Sequence, residues 1–242
     1  MMIEQLNKDE RLDDLNYKGM KILQSKALYC FTSDAVILAN IVKANSKAKV
    51  ADLCSGSGVI ALLIAAKTNA EKVVGIELQP RLADLAQRSI SLNNLSEKVE
   101  IKNADIKDSV ALLGHGSQDI VVCNPPYYRM GEGEMSDNPE IALCRHEVAI
   151  TLEQIVNIAA KLVKFGGKFY IVYRADRLSE LLCLLSGAGL EPKRLYSIQP
   201  AANKAVDTVV VMAKRGADKG IVVENWLREA LEYELYGKNN TR

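Results

Sequence analysis

From residue 49 onward the apolar positions fall into one repeating pattern: a short continuous apolar run, a marked turn, then a longer segment of helical period. Val50-Ala51-Asp52-Leu53 reads as a strand, Cys54 to Gly58 as its turn and Val59 to Lys67 as a helix. Lys72 to Glu77, carrying Val73, Val74 and Ile76, predicts a second strand, and Pro80 opens a helix towards Asn93. Val99-Glu100-Ile101 predicts a third strand leading to Asn103-Ala104-Asp105. Ile120-Val121-Val122-Cys123 predicts a fourth, ended by Asn124-Pro125-Pro126-Tyr127. A helix over Leu152 to Val163 stops at Gly166-Gly167. Lys168 to Val172 follows as a fifth strand, and Arg177 to Leu185 as a helix closed by Gly187. Arg194 to Ile198 and Thr208 to Ala213 are β-rich and read as a closing antiparallel pair. Strands alternating with helices predict an α/β fold, its mostly parallel sheet covered on both faces.

Around this core the pattern is weaker. Residues 1–14 are charged and read as a lead-in, and Leu15 to Cys30 has room for short strands. Ser33 or Asp34 is placed to cap a helix ending near Lys43. Residues 128–149, with Gly131, Gly133 and Pro139, read as a mobile loop. From Val223, the spacing of Trp226, Leu227, Ala230, Leu231 and Leu235 predicts a short amphipathic helix with Gly237 behind it. The expected division is an N-terminal segment over 1–48, a core over 49–215 and a tail over 216–242.

Composition narrows the function classes. The 242 residues carry a net charge of +1, so no overall basic field advertises nucleic acid. Apolar stretches such as Val59 to Ala66 fall short of a membrane span. The first residues lack a basic region followed by an apolar block, so no signal peptide is expected. Cys30, Cys54, Cys123, Cys144 and Cys183 are odd in number and never spaced C-x-x-C, which points to reduced thiols in a cytoplasm. His115 and His146 are far apart, and no metal site is expected.

The candidate chemistry sits at strand ends, where open α/β sheets bind ligands. Gly56 and Gly58 occupy a strand-to-helix turn whose free N–H groups suit a carboxylate, although Cys54 fills the first glycine slot of the dinucleotide pattern. Glu77 ends the next strand, where an acid can take ribose hydroxyls, and Asp105, past the third, could accept from an adenine amino group. Taken singly, either acid also reads as a surface carboxylate. In Asn124-Pro125-Pro126-Tyr127 two prolines fix φ and remove two N–H donors. The motif therefore offers an amide oxygen, a backbone carbonyl and an aromatic face to a planar group bearing an NH2. A tight turn with a surface tyrosine is the plainer reading of Pro-Pro alone.

Together these positions resemble the class I S-adenosylmethionine-dependent methyltransferases over about residues 49–213. The resemblance implies a Rossmann-like, seven-stranded, mostly parallel sheet with one reversed strand. It implies that the turn bearing Asp52, Cys54, Gly56 and Gly58 receives the methionine moiety of S-adenosylmethionine. It further implies Glu77 at the ribose, Leu78 beside it among the cofactor-binding residues, Asp105 at the adenine, and Asn-Pro-Pro-Tyr as the mark of amino-group methyltransferases. Phe31-Thr32-Ser33-Asp34 to Ala39, Asn124 to Tyr128 and Arg145-His146-Glu147 are similar to one bacterial family, the tRNA1(Val) adenine-37 N6-methyltransferases. Phe31, Ser33 and Asp34 match a motif that folds over the cofactor in that family, while Asp34 alone reads equally as a helix cap. The tail after Arg215 matches nothing in it.

The expected reaction is methyl transfer to an adenine N6 in a tRNA anticodon loop. Asn124 and the Pro125 carbonyl would accept from the amino group, and Tyr127 would stack on the base. His146 is expected in a loop or supporting role. Protein glutamine methylation, guanine N2 methylation of ribosomal RNA and a non-catalytic RNA-binding role on the same fold remain as alternatives. Candidate RNA contacts are Lys18, Lys21, Lys26, Arg129, Arg145, Lys193, Arg194 and Lys204, each of which also reads as a solvated surface charge.

Overall fold

A computed structural model describes residues 6–129, 131–132 and 136–228. The N-terminal segment is more ordered than its composition suggests. Strands β1 (Glu10–Asp14) and β2 (Lys21–Ser25) form an antiparallel hairpin, followed by helix α1 (Ser33–Ile41). The hairpin then gives way to β3 (Lys49–Leu53), α2 (Val59–Lys67), β4 (Lys72–Glu77), α3 (Pro80–Leu92) and β5 (Val99–Asn103). A short α4 (Ser109–Leu113) leads into β6 (Gln118–Cys123), then α5 (Pro139–Arg145), α6 (Leu152–Leu162) and β7 (Val163–Arg174). The chain closes through α7 (Leu178–Gly187), β8 (Leu190–Gln199), β9 (Thr208–Arg215) and β10 (Val222–Leu227).

The central sheet has eight strands, not the expected seven, in the order β10-β8-β9-β7-β6-β3-β4-β5. All neighbours pair parallel except β9, which runs antiparallel to β7 and β8. The eighth strand comes from the tail. Residues 222–227 pair with β8 instead of starting the expected helix, because Val222 and Val223 favour extended backbone and Trp226 packs edge-on against Tyr196 at 5.1 Å. Ala230, Leu231, Leu235 and Gly237 lie outside the described residues. Two other expectations change. The segment 128–149 contains α5. Gly166-Gly167 does not end a helix but sits inside β7, where the register against β6 shifts. A Cβ at Gly167 would lie 2.9 Å from the Asp119 carbonyl oxygen, so only glycine lets the two strands approach this closely.

Period-two alternation divides the buried side chains between the sheet's faces. Val50, Ile120, Val122, Tyr170, Val172 and Val210 pack with α1 and α2 on one face. Ala51, Leu53, Val121, Phe169, Ile171, Val209 and Val211 pack with α6 on the other. Helix α2 is buried at every position from Val59 to Ala65, as expected of a helix that is apolar all round. The hairpin docks on α3: Leu23 N–H donates to Ser89 Oγ at 2.9 Å, and Asn93 bonds both backbone groups of Lys21. Arg88 grips Glu10 through two bonds of 2.8 and 2.9 Å, holding its carboxyl down at about 2.

The connections after β3 run outward through β4 and β5, and the chain then returns to lay β6 on β3's other side. That reversal places the β3 turn and the β6 turn side by side at the carboxyl edge. At the β3 turn, Gly58 has φ +83°, and a Cβ there would lie 2.9 Å from the Ala86 Cβ of α3. Gly58→Ala combines left-handed strain with overpacking and should destabilise the fold by about 2–4 kcal/mol, read as a lowered urea midpoint with unchanged slope.

Candidate active site

A two-lobed cavity opens at this carboxyl edge. The inner lobe encloses about 860 Å³ including its mouth, and is walled by Phe31, Cys54 to Ser57, Glu77, Leu78, Asp105 and Asn124, among others. The outer lobe, about 1320 Å³, is walled by Asp34, Pro125, Tyr127, Tyr128, Arg145, Arg174 and Asp207, among others. Tyr29, Asn124 and Cys144 belong to both, so Asn124 stands at the neck.

Glu77 organises the inner lobe. Its buried carboxylate accepts from Gly56 N–H and Gln79 N–H, each at 2.8 Å. Burial pushes its pKa up, opposed by these backbone N–H groups and that of Leu78. Gly56 itself has φ +56° with open space where a Cβ would stand, so the turn presents bare backbone to the cavity. Asp105 also borders the lobe, its Oδ1 accepting from Lys107 N–H at 2.9 Å.

The neck is shaped by the Pro-Pro turn. Tyr127 donates its hydroxyl to Asn124 Oδ1, which orients the amide oxygen, and burial raises the tyrosine pKa so that it remains a donor. Tyr127 meets Tyr173 edge-to-face at 5.8 Å, and its backbone N–H bonds the Arg145 carbonyl at 3.0 Å. Arg177 reaches the Tyr127 carbonyl at 3.2 Å while pairing with Glu147, which also accepts from Tyr173. This buried pair locks the motif from behind.

The structure thus brings Phe31, Cys54, Gly56, Glu77, Leu78, Asp105 and Asn124 onto one cavity, with Asp34, Pro125 and Tyr127 on the adjoining lobe. Three expected residues border neither lobe. Gly58 lies in the turn and serves packing. Ser33 accepts from Arg228 at 2.6 Å. Asp52 is fully buried below the turn, where Ser55 donates to its Oδ2 at 2.7 Å. Its position on β3 turns the side chain inward, so it supports the turn instead of facing a ligand. His146 is buried as well, beneath Tyr128.

Tyr29, Gln79, Leu143 and Cys144 were not anticipated. Gln79 donates to the Glu140 carbonyl at 3.1 Å and to Cys144 Sγ at 2.9 Å, and Asn138 donates to the Ala27 carbonyl at 2.8 Å. These bonds draw α5 across the inner lobe. The only advance signal for α5 was Asn138-Pro139, a cap followed by a first-turn proline. Among the described residues, no three His, Cys, Asp or Glu side chains converge as a metal would require. Among them, too, no helix is long and apolar enough to cross a membrane.

Burial raises the Asp52 pKa to about 7, with the Glu77 charge adding to the rise. The folded state therefore holds a proton that the unfolded chain releases near pH 4, and Asp52 lowers stability as pH climbs from there through about 7. Asp52→Asn should remove this dependence. Its unfolding midpoint relative to the parent should rise between pH 5 and pH 8, and an unchanged difference would contradict the assignment.

The methyltransferase small domain family model matches residues 31–182. Several relatives bear the name tRNA1(Val) (adenine(37)-N6)-methyltransferase. One from Porphyromonas gingivalis is 26% identical over 81% of this chain and 84% of its own length. That from Erwinia tasmaniensis is 28% identical over 71% and 69%, and that from Yersinia pestis 25% identical over 95% and 92%. Among solved structures, a predicted O-methyltransferase from Agrobacterium tumefaciens aligns with TM-score 0.63 at 22% identity, covering 80% of this chain and 86% of that one. A geranyl diphosphate C-methyltransferase from Streptomyces coelicolor aligns with TM-score 0.56 at 12% identity, covering 76% and 78%. Both share the fold. With the glycine turn, Glu77 and the Asn-Pro-Pro-Tyr neck inside the matched span, the chain belongs to the methyltransferase small domain family.

Proposed function

We propose that this enzyme transfers a methyl group from S-adenosylmethionine to N6 of an adenine, position 37 in a tRNA anticodon loop. The observation that carries the reading is Asn124's place at the neck, where a ligand in the inner lobe and a base in the outer lobe would meet at one acceptor.

The inner lobe fits the cofactor's functional groups. The exposed backbone at Gly56 suits the amino-acid end, and the Glu77 carboxylate keeps acceptor capacity for a ribose hydroxyl beyond the backbone bonds it already accepts. Asp105 suits the adenine amino group. S-adenosylmethionine supplies an already activated methyl, so the protein contributes placement and electrostatics. Phe31 closes the lobe from the N-terminal segment, and α5 closes it from the other side.

Adenine N6 is a weak nucleophile because its lone pair is delocalised into the ring. Asn124 Oδ1 and the Pro125 carbonyl accept its two hydrogens and stabilise positive charge as it develops on nitrogen. The Tyr127 hydroxyl occupies one lone pair of Asn124 Oδ1. It leaves the other available and keeps the amide oxygen, not its NH2, in the neck. The Tyr127 ring offers the stacking face, and a single-stranded loop yields its base more cheaply than a duplex. The names borne by the relatives support the tRNA substrate and position 37.

The deciding assay is methyl transfer from labelled S-adenosylmethionine to unmodified tRNA, rRNA or bulk protein, with nucleoside analysis for N6-methyladenosine. Label in protein glutamine or guanine N2 would overturn the adenine assignment. Asn124→Ala should lose about 10²–10³ in kcat under single turnover with cofactor affinity nearly unchanged. Parent-like turnover would reduce the motif to a turn. Glu77→Ala should weaken S-adenosylmethionine binding by roughly 10- to 100-fold in calorimetry, from the loss of a charge-assisted contact of about 1.5–3 kcal/mol. Equal affinities would remove Glu77 from the site.

A further inference from the structure

We propose that Arg145 and Arg174, gathered on the ring of Tyr128 at the mouth of the outer lobe, form a subsite for the RNA phosphodiester next to the target nucleotide. The inference rests on the functional reading above and adds the place where the substrate's backbone is held.

Three groups converge on one ring. The Arg174 guanidinium carbon is 4.9 Å from the Tyr128 centroid, that of Arg145 is 5.7 Å away, and the His146 ring lies at 5.5 Å with a 39° tilt. The backbone holds this cluster in place. Tyr128 N–H donates to the Arg145 carbonyl at 2.9 Å, and Glu147 N–H to the Tyr128 carbonyl at 2.7 Å. Buried His146 underlies the platform, while both arginines and Tyr128 border the outer lobe.

Among the described residues, four other arginines are already paired. Arg129 pairs with Glu180 at 2.8 Å, Arg177 with Glu147 and Glu180, Arg194 with Glu224, and Arg228 with Asp34. Arg145 has no ion pair among the described residues. Arg174 directs Nε and Nη2 at Asp176 and leaves Nη1 3.9 Å from Glu132. Of the other acids on the outer lobe, Asp34 and Asp207 both face Arg228, which moderates their repulsion of a polyanion. Among the described residues the mouth therefore keeps one guanidinium without an ion pair, Arg145, beside a second, Arg174, that is held by Asp176 and only loosely by Glu132.

Position selects the occupant. A nucleotide whose base lies between Asn124 and Tyr127 leaves its sugar and phosphate outside the neck, and Tyr128 is the next residue along the turn. Guanidinium groups bind phosphate through paired N–H bonds, and a net charge of +1 offers no diffuse field to do the same work.

The test is filter binding of an unmodified tRNA transcript over a salt series, with single-turnover methylation alongside. Arg145→Ala and Arg174→Ala should each weaken binding by about 10-fold near 0.1 M salt and shrink the slope of log affinity against log salt by about 0.7–1. Arg145→Lys should retain the slope. Calorimetric binding of S-adenosylmethionine should be unchanged, which also verifies folding. Lys47→Ala, on an exposed residue before β3 at the far end of the sheet, serves as the surface-charge control and should match the parent. Parent-like affinity and slope in both alanine variants overturn the subsite, as does an equal loss in Lys47→Ala. A parent that neither binds nor methylates any RNA overturns the functional reading itself, a separate and recognisable result.

Discussion

The carboxyl edge depends on one buried carboxylate. Glu77 accepts from the turn after β3 and from the start of α3, while its own backbone carbonyl accepts from Ala104 N–H at 3.0 Å and Asn103 Nδ2 at 2.9 Å. One residue therefore ties three successive strand ends together. Burying a carboxylate costs several kcal/mol, and only charge-assisted bonds of about 1.5–3 kcal/mol each offset it. A side chain held at such cost, yet left bordering a cavity with acceptor capacity unused, is placed for a ligand as much as for the fold. The consequences reach further through Gln79. Fixed by its N–H to Glu77, it extends its amide to α5 and sets where that helix crosses the inner lobe.

The second constraint is the rigidity of the neck. Pro125 and Pro126 remove backbone freedom, Arg177 holds the Tyr127 carbonyl, and Tyr173 braces both the Tyr127 ring and Glu147. Because methyl transfer draws mainly on placement, an acceptor that moved by an ångström would forfeit much of the rate. The Arg177–Glu147 pair is remote from the inner lobe and does no chemistry, yet it keeps Asn124 where both lobes can use it.

What the sequence disclosed, and what it hid, follows from the range of the interactions. The glycine turn, Glu77, Asp105 and Asn-Pro-Pro-Tyr were legible because each lies at the end of a short apolar run and the parallel sheet aligns those ends. Asp52 misled, since an acid beside a glycine turn looks like a ligand contact until the alternation of β3 turns it inward. Helix α5 was illegible because seven residues cannot sustain a helix unaided; its bonds to Ala27 and Gln79 come from distant sequence. Strand β10 was misread because the spacing of Trp226 and Leu227 with later apolar residues fits a helix as well. Its pairing with β8 is decided by Tyr196 across the sheet. Asp34 could be read as a cap, and its partner Arg228 lies near the other end of the chain.

Charge at the outer lobe is arranged more sharply than the total suggests. With 31 basic and 30 acidic side chains, attraction beyond a Debye length of roughly 8–10 Å nearly cancels, so only the groups at the mouth bear on an approaching polyanion. Tyr128 gathers Arg145 and Arg174 within 6 Å of its ring, and Arg228 engages Asp34 and Asp207, so the lobe's acids are partly neutralised. Arg228 follows β10, so the eighth strand, absent from the expected architecture, supplies the cation that moderates this wall. Strand β10 thereby bears on the outer lobe as well as on the edge of the sheet. Losing it would leave Asp34 and Asp207 without this partner at the mouth, where they would repel the RNA proposed as substrate.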